Sequence, residues 1–179
     1  MEIRLILRAA TFAAKAHATQ LRKTGDQPYI NHLLRVAQTV ADAGLSEEAI
    51  AAALLHDVIE DTDVTVEELS SAFPKRVVHL VELLTEWWDD DASQELKARE
   101  RPKYYRAILT DPEAVDIKLL DRADNLLDMV RGLPKVQRWA TKYLARTEPE
   151  LAEIYAASKN EYARRFYQSA LNKLRLELG

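Results

Sequence analysis

The sequence predicts an all-α fold, and three observations lead to this prediction. Apolar residues recur with helical spacing through most of the chain. Only four glycines and six prolines occur among 179 residues, which favours long helices over a turn-rich β architecture. No segment alternates apolar and polar residues over the length of a useful strand. We therefore expect a helical bundle in which residues 1–179 form a single domain.

Capping residues mark the expected ends of the helices in the first half of the chain. Ser46 is a predicted N-cap, and Thr65 and Glu68 have the spacing of a capping box. A polar loop around Gly25 and Asp26 separates the first two helices. The predicted helices run from Ile3 to Ala18, from Ile30 to about Ala43, from Ser46 through the segment AAALLHDV, from Thr65 to just before Pro74, and from Val77 to Trp88.

The second half is predicted to continue as helices after an acidic loop at Asp89–Asp91. A charged helix is expected from about Ser93, with a break at Pro102 because proline lacks the N–H of a helical hydrogen bond. An Asp-Pro pair then marks the start of a long helix that is apolar on one side. The remaining predicted helices run from Asp111-Pro112 to Gly132 and Pro134, and from Lys135 to Leu178 as two helices that meet near Pro149.

Composition and charge argue against several classes of function. The formal net charge of −4 argues against nucleic-acid binding as the main activity. The sequence contains no cysteine, so it has neither a disulfide framework nor a thiolate metal site. No apolar run reaches the length of a membrane span, and the N-terminal segment MEIRLILRAA does not have the pattern of a signal peptide. We therefore expect a cytoplasmic protein without a membrane or nucleic-acid partner.

The segment Ala51–Asp63, AAALLHDVIEDTD, begins as an apolar helix and turns acidic without a break. His56 and Asp57 therefore stand at the end of a buried helix, where charged groups without a cation are strongly destabilising. Helical spacing places Glu60 one turn beyond His56, and Asp61 one turn beyond Asp57. The segment thus predicts a pair of metal ligands with two carboxylates just past them.

Two more candidate ligands stand in other predicted helices. His32 lies in the first turn of the second helix, and Asp121 follows the apolar segment IKLL, where a carboxylate needs a partner. Taken singly, each has an ordinary explanation as a hydrogen-bonded histidine or a surface aspartate. Together with His56 and Asp57 they provide two imidazoles and two carboxylates, a set that suits Mn²⁺, Fe²⁺, Co²⁺ or Zn²⁺.

Three motifs, in this order, resemble the HD superfamily of metal-dependent phosphohydrolases, which is named after its adjacent His-Asp pair. The motifs are FAAKAHATQLRKTGDQPYINHLLRVA, AAALLHDVIEDTDVTVEELSSAF and VDIKLLDRADNLLDM. They are similar to the hydrolase domain of the SpoT/RelA family, including small stand-alone alarmone hydrolases. Those enzymes remove the 3′-pyrophosphate from guanosine tetraphosphate and pentaphosphate. The resemblance covers roughly Phe12 to Tyr155, with Leu33 and Leu120 standing where the family usually has Pro and Ala.

The resemblance implies a helical HD-type fold and one metal ion, usually manganese. The implied metal ligands are His32, His56, Asp57 and Asp121. Glu60 and Asp61 match the acidic pair of the family, whose implied role is to orient and deprotonate the attacking water. The alternative for this pair is a solvated helix end without a catalytic role.

The resemblance also implies a set of substrate contacts. Arg22 and Lys23 match a basic pair that lies against the base and phosphates of the nucleotide, and Asn125 matches a further nucleotide contact. Tyr143 corresponds to an aromatic substrate contact, with a core tyrosine as the alternative. A basic cluster lies near the region where family members place cations for the phosphates, although a solvated charged helix would have the same composition. This cluster consists of Lys97, Arg99, Arg101 and Lys103, and the sequence does not distinguish which of them faces the substrate.

The function implied by the resemblance is a manganese-dependent guanosine-3′,5′-bis(diphosphate) 3′-pyrophosphohydrolase of the stringent response. Two alternatives stay open: an HD phosphohydrolase that acts on an adenosine alarmone or NADPH, and an inactive HD domain that only binds nucleotide. The presence of every matched ligand and of both acids argues against the inactive domain. A homo-oligomer is also open, because the adjacent Trp87 and Trp88 cannot both face a core.

Overall fold

The computed structural model describes residues 3–24, 27–88 and 91–179, and the regular structure within these ranges is helical. This confirms the predicted all-α fold. The loop residues Gly25 and Asp26, and Asp89 and Asp90 of the acidic loop, lie outside the described residues. In chain order, the ten helices of the described residues are α1 (Ile3–Ala16), α2 (Ile30–Asp42), α3 (Glu47–Leu55), α4 (Val58–Asp61), α5 (Val66–Ala72), α6 (Lys75–Leu84), α7 (Gln94–Ile108), α8 (Pro112–Gly132), α9 (Gln137–Ala157) and α10 (Glu161–Leu178).

The long helix α8 runs through the middle of the bundle and packs against α2, α3, α6, α7, α9 and α10. Its apolar residues Ile117 and Leu120 are fully buried, and so are several charged residues, among them Lys118 and Asp121. Charged side chains are rarely buried unless they are paired or hold an ion. Helix α8 therefore brings charged groups into the interior, where they need partners from neighbouring helices.

Helix α3 is buried on all sides. Every residue from Ala49 to Leu55 is buried, and the helix packs against α1, α2 and α6. The Ser46 Oγ accepts a hydrogen bond from the Ala49 N–H at 3.1 Å, which confirms the predicted N-cap. Because α3 ends inside the bundle, the next residue, His56, is only 2% exposed.

Two other predicted helix starts are also confirmed. The Thr65 Oγ1 accepts from the Glu68 N–H at 3.2 Å, and the Glu68 carboxylate accepts from the Thr65 N–H at 2.9 Å, as in a capping box. Asp111 caps α8 by accepting from the Glu113 N–H at 3.0 Å, and the Arg76 guanidinium pairs with the same carboxylate. This cap defines where α8 begins and therefore which of its residues face the interior.

The prediction that a helix extends to Trp88 is wrong, because α6 ends at Leu84. The backbone of Thr85 is extended. The N–H of Glu86 then donates to the Glu60 carboxylate at 2.9 Å instead of to the preceding helical turn. The chain after Leu84 thus leaves the helix and contributes a hydrogen bond to the acidic residues of α4.

The predicted helix breaks at Pro102 and Pro149 are wrong as well, because α7 and α9 continue through them. Each proline removes one N–H donor, a loss that tertiary packing can offset. Arg101, beside the first proline, pairs with Glu150, beside the second, at 3.2 Å, which ties the two helices together at these points. The last two helices meet at residues 158–160 instead.

The prediction that one helix runs from Ser46 through His56 and Asp57 is wrong, because α3 ends at Leu55 and the chain turns at His56 and Asp57 before α4 begins. The other helix lengths are close to those predicted. Helices α1 and α2 end at Ala16 and Asp42, one or two residues before the expected positions, which is ordinary variation at helix ends. Within the described part of the chain, no helix combines the length and the apolar character that crossing a membrane requires.

Candidate functional site

A cavity of about 190 Å³ opens between α2, α4, α8, α9 and the segment that follows α1. Its walls contain every predicted metal, catalytic and substrate residue except His56, whose ring centre lies 5.4 Å from that of the lining residue His32. The predicted site residues in the walls are Arg22, Lys23, His32, Asp57, Glu60, Asp61, Asp121, Asn125 and Tyr143. Three distant motifs of the sequence therefore meet in one place.

His56 follows the last residue of α3, and its two ring nitrogens have different surroundings. Its Nδ1 lies 2.7 Å from the Ala53 carbonyl oxygen, a contact in which Nδ1 donates. Its buried Nε2 has no hydrogen-bond partner among the residues that the structure describes, and it lies 3.2 Å from Asp57 Oδ2 and 3.6 Å from Asp121 Oδ1. Burial opposes protonation of this ring, yet the two carboxylates raise the pKa of His56 to about 9. The position therefore stabilises a positive charge.

His32 approaches the same point from α2. Its Nδ1 lies 2.7 Å from Asp124 Oδ2, and its Nε2 lies 3.4 Å from Asp121 Oδ1 and 3.8 Å from Asp57 Oδ2. His32, His56 and Asp57 each offer one possible metal-ligand atom, and these three atoms lie within 4.8 Å of one another, a spacing at which they can hold one metal ion. Because Asp124 holds the Nδ1 side of the ring, Nε2 is the His32 nitrogen that faces the cluster.

Asp57 and Asp121 are the acidic half of this cluster. Burial alone would raise the pKa of both carboxylates. The imidazoles of His56 and His32 outweigh burial and lower the pKa of Asp57. Lys118, followed by the two imidazoles, lowers the pKa of Asp121 well below its usual range. Both side chains are therefore anionic, as metal ligands must be.

Glu60 and Asp61 are the last residues of the short helix α4, which begins after the turn at His56 and Asp57, and both line the cavity together with Asp57. The Glu60 carboxylate accepts from the Glu86 N–H at 2.9 Å, and burial, followed by the charges of Asp57 and Glu86, raises its pKa to about 8. The Tyr29 hydroxyl lies 2.7 Å from both Asp61 Oδ2 and Asp57 Oδ2. Burial and the Asp57 charge raise the pKa of Asp61 as well.

Arg22 and Asn125 are joined to each other and to the cluster. The Arg22 Nη2 donates to Asn125 Oδ1 at 2.6 Å, and its Nε donates to Asp128 Oδ2 at 2.8 Å. The Asn125 amide nitrogen donates to Asp121 Oδ1 at 2.7 Å. A chain of hydrogen bonds thus connects the predicted nucleotide contacts to a predicted metal ligand.

The segment that carries Arg22 and Lys23 is held close to the end of α8. A Cβ atom added to Gly132 would lie 2.9 Å from the backbone oxygen of Thr24, closer than side-chain carbons normally approach. On the opposite wall, the Tyr143 hydroxyl accepts from the Arg122 guanidinium at 2.6 Å. Tyr143 therefore lines the cavity and is also nearly buried, so both explanations of this residue agree with its position.

The basic cluster of α7 does not line the cavity. Arg99 and Lys103 pair with Glu100, and Arg101 pairs with Glu150. The remaining member, Lys97, is also absent from the lining residues. The solvated or structural alternative therefore describes these side chains better than a phosphate site in the described cavity.

Several residues of the site were not identified from the sequence. Lys118 and Arg122 line the cavity as cations, and Tyr29, Glu86 and Asp124 form hydrogen bonds with the predicted site residues. The spacing of Lys118 and Arg122 contained a usable signal, because they stand four residues apart on the same stretch of α8 as Asp121 and Asn125. Charged residues at that spacing in an apolar helix indicate a polar face turned to the interior.

Comparison with known proteins agrees with this geometry. A family model described as an HD domain matches residues 9–158. The guanosine-3′,5′-bis(diphosphate) 3′-pyrophosphohydrolase of Aquifex aeolicus (strain VF5) is 41% identical over 154 residues, which are 84% of this chain and 20% of that protein. The enzyme of the same name from Danio rerio, MESH1, is 39% identical over 134 residues, 73% of this chain and 72% of its own length.

A solved structure agrees with the sequence matches. It is described as a metazoan ortholog of SpoT that hydrolyzes ppGpp, and it aligns with a TM-score of 0.79 and 25% identity over 94% of each chain. The chain spans only about a fifth of the length of the Aquifex enzyme but nearly three quarters of MESH1. Because the family model covers most of the sequence and the cavity unites its motifs, this chain belongs to the HD domain family, in the same group as MESH1 and the Aquifex enzyme.

Proposed function

We propose that this chain is a metal-dependent hydrolase that removes the 3′-pyrophosphate from guanosine tetraphosphate and pentaphosphate. The observation that carries the proposal is the convergence of two imidazole Nε2 atoms and two carboxylates at the wall of one cavity, next to Glu60 and Asp61. The names of the relatives supply the substrate.

The four proposed ligands fit a divalent ion. Within the described ranges, the His56 Nε2 is buried without a hydrogen-bond partner, and the carboxylates around it favour a positive charge at that point. Ligand atoms of His32, His56 and Asp57 lie within 4.8 Å of one another, and Asp121 Oδ1 lies 3.4 Å and 3.6 Å from the two imidazole Nε2 atoms. When bound, a divalent ion lowers the pKa of a water molecule and polarises phosphate oxygens. We propose Mn²⁺ as the bound ion, because the family resemblance predicts manganese.

Glu60 and Asp61 are the proposed acids that orient the attacking water and take its proton. Each is held by a group outside the ligand set: the backbone N–H of Glu86 and the hydroxyl of Tyr29. Burial raises the pKa of both carboxyls, which makes their anions stronger bases. In the reaction, the water oxygen bonds to the phosphorus next to the ribose, and the bond from that phosphorus to the ribose 3′-oxygen breaks. That oxygen gains a proton, and pyrophosphate and the nucleoside 5′-diphosphate or 5′-triphosphate are released.

Arg22, Lys23, Asn125 and Tyr143 are the proposed nucleotide contacts. All four line the cavity, and the bonds of Arg22 to Asn125 and Asp128 hold its guanidinium in place before substrate arrives. Preorganised donors of this kind reduce the entropy lost on binding. A cytoplasmic location, the existence of a homo-oligomer and the single-domain organisation stay predictions.

The test is pyrophosphate release from guanosine tetraphosphate by the purified chain with Mn²⁺. We expect release by the wild type and none by His56→Ala or Asp57→Ala. His79→Ala is the matched control, because this histidine is 55% exposed at its side chain and lies outside the cavity. Absence of release by the wild type, or equal loss in the control, would overturn the proposal.

A substrate panel separates the alternatives within the enzyme class. Guanosine tetraphosphate, its adenosine counterpart and NADPH are compared at equal concentration. We expect the highest kcat/KM for the guanosine alarmone. A higher kcat/KM for the adenosine compound or for NADPH would make that compound the substrate instead of the guanosine alarmone. Tight nucleotide binding without turnover of any compound would indicate a domain that only binds nucleotide.

A further inference from the structure

Two cations of α8 face the cavity and have no role in the proposed ligand set or in water activation. Lys118 is 5% exposed, and the side chain of Arg122 is 11% exposed. Both line the cavity, and they stand one helical turn apart with Asp121 between them in sequence. A buried cation needs anionic partners, so the partners of these two groups indicate what they can bind.

Lys118 has few partners for a buried ammonium group. Its Nζ lies 3.3 Å from Asp121 Oδ2 and 5.3 Å from the centre of the Tyr104 ring. An ammonium has three N–H donors, and the Asp121 contact uses one of them. The contacts of Lys118 with the described residues thus leave N–H donors of its ammonium group available beside Asp121, a proposed metal ligand.

Arg122 is also incompletely bonded. Its Nη1 donates to the Tyr143 hydroxyl at 2.6 Å, and its Nη2 lies 3.4 Å from Glu86 Oε1, a long contact. Its buried Nε has no hydrogen-bond partner among the described residues. An unpaired guanidinium N–H in a buried site is costly unless a ligand accepts its hydrogen bond.

We propose that Lys118 and Arg122 bind the 3′-diphosphate of the substrate. This inference rests on the proposed function and assigns the phosphate cations to α8 instead of α7. Lys118 adjoins Asp121 and therefore the reacting phosphate, and Arg122 continues the positive charge along the same helix face. Charge-assisted hydrogen bonds to phosphate oxygens are short and strong, and they neutralise the charge that is released with pyrophosphate.

The experiment compares Lys118→Met and Arg122→Met with Lys103→Met as matched control. Lys103 is an exposed lysine of α7 that pairs with Glu100 and lies outside the cavity. Each variant is assayed with saturating Mn²⁺ for kcat, KM and the inhibition constant of inorganic pyrophosphate. We expect Lys118→Met to lose about 100-fold in kcat/KM and to bind pyrophosphate at least about tenfold more weakly. The control should match the wild type.

Three further measurements separate this role from a structural one. Metal content and melting temperature should be unchanged in Lys118→Met, and Lys118→Arg should recover part of the pyrophosphate affinity because it restores the charge. If Lys118→Met does not fold, Arg122→Met carries the same comparison. Unchanged kcat/KM and unchanged pyrophosphate inhibition in both methionine variants would overturn the inference.

The choice of the 3′-diphosphate is tested with guanosine 5′-monophosphate 3′-diphosphate, which lacks the second 5′-phosphate. The defect of Lys118→Met should be equally large with this compound and with guanosine tetraphosphate. A defect that disappears with the shorter compound would assign the cations to the 5′-phosphates and overturn the inference. If the wild type hydrolyses neither compound, the proposed function fails. Calorimetric binding of inorganic pyrophosphate to the wild type and Lys118→Met then still decides whether the two cations form an anion site.

Discussion

Replacement of Asp124 by Asn tests how the bundle holds His32. The Asp124 carboxylate accepts from His32 Nδ1 at 2.7 Å through Oδ2, and from the Arg35 guanidinium at 2.7 Å through Oδ1 and at 2.9 Å through Oδ2. Both oxygens are thus required as acceptors. An asparagine has one acceptor and one donor at these positions, so it cannot serve both neighbours. Asp124→Asn must therefore disturb either the ring of His32 or the position of Arg35.

The expected magnitude follows from the role of carboxylates behind metal-binding histidines. Loss of such a partner typically weakens metal affinity by about 10- to 100-fold, which is about 1.4 to 2.7 kcal/mol. In this site the amide N–H₂ can also face His32 Nδ1 and favour the tautomer with hydrogen on Nε2. That tautomer cannot bind a metal through the nitrogen that faces Asp57 and Asp121.

The assay is calorimetric titration of the metal-free protein with Mn²⁺. Asp116→Asn is the control, because Asp116 is buried on the same helix and accepts from the Ser158 hydroxyl at 2.6 Å, a bond that an asparagine can keep. We expect a weaker Kd for Asp124→Asn only. An unchanged Kd, or the same weakening in Asp116→Asn, would refute the reasoning.

Three other changes have defined outcomes. Tyr29→Phe removes the hydroxyl that lies 2.7 Å from two carboxylates of the site, and kcat/KM should fall by about 10- to 100-fold in the pyrophosphate assay. Gly132→Ala places a Cβ 2.9 Å from the Thr24 oxygen and should raise KM roughly tenfold by displacing the nucleotide-binding segment, as steady-state kinetics would show. Hydrogen bonds from the Arg76 guanidinium hold the pKa of Asp111 below its usual range. Because the folded pKa is the lower one, this pair stabilises the fold above about pH 4 and the stabilisation is lost as the pH falls further. Urea denaturation should therefore show a smaller acid-induced loss of unfolding free energy in Arg76→Met than in the wild type.

Each of these outcomes has a result that would contradict it. Wild-type kinetics in Tyr29→Phe would show that the hydroxyl does not orient the acids. A loss of kcat without a change in KM in Gly132→Ala would place the effect on chemistry instead of binding. Identical acid sensitivity of Arg76→Met and the wild type would show that the ion pair does not persist in solution.

Helix starts could be predicted because their signals are local, whereas the meeting of the three motifs is predicted from the family resemblance. The caps at Ser46, Thr65 and Asp111 each need only residues within one turn, and all three are formed. The placement of His56 at the end of an apolar helix likewise follows from adjacent residues. That His32 and Asp121 lie beside it follows from the family resemblance, since no local rule brings distant helices together.

The features that could not be predicted depend on contacts between distant segments. Helix α6 ends before the predicted Trp88, and the Glu86 N–H beyond its end donates a hydrogen bond to Glu60, a residue of α4. Helices α7 and α9 continue through their prolines while an ion pair of Arg101 with Glu150 joins them. Propensity rules describe isolated segments, and tertiary contacts of this kind override them.

The location of the proposed phosphate-binding cations also could not be predicted from local sequence. A run of basic residues on α7 is more conspicuous in the sequence than two cations within an apolar helix. The fold, however, turns Lys118 and Arg122 towards the cavity and leaves Arg99 and Lys103 paired with Glu100. Burial of a charge, which the sequence does not report directly, is the more informative observation.

The central claim is that a metal ion held by His32, His56, Asp57 and Asp121 supports hydrolysis of guanosine tetraphosphate at its 3′ position. The most direct measurement is pyrophosphate release by the purified chain before metal removal, after chelation, and after Mn²⁺ is returned. We predict that release falls to background on chelation, recovers with Mn²⁺, and does not recover in His56→Ala. Release that persists without metal, or that never occurs with Mn²⁺, would contradict the claim.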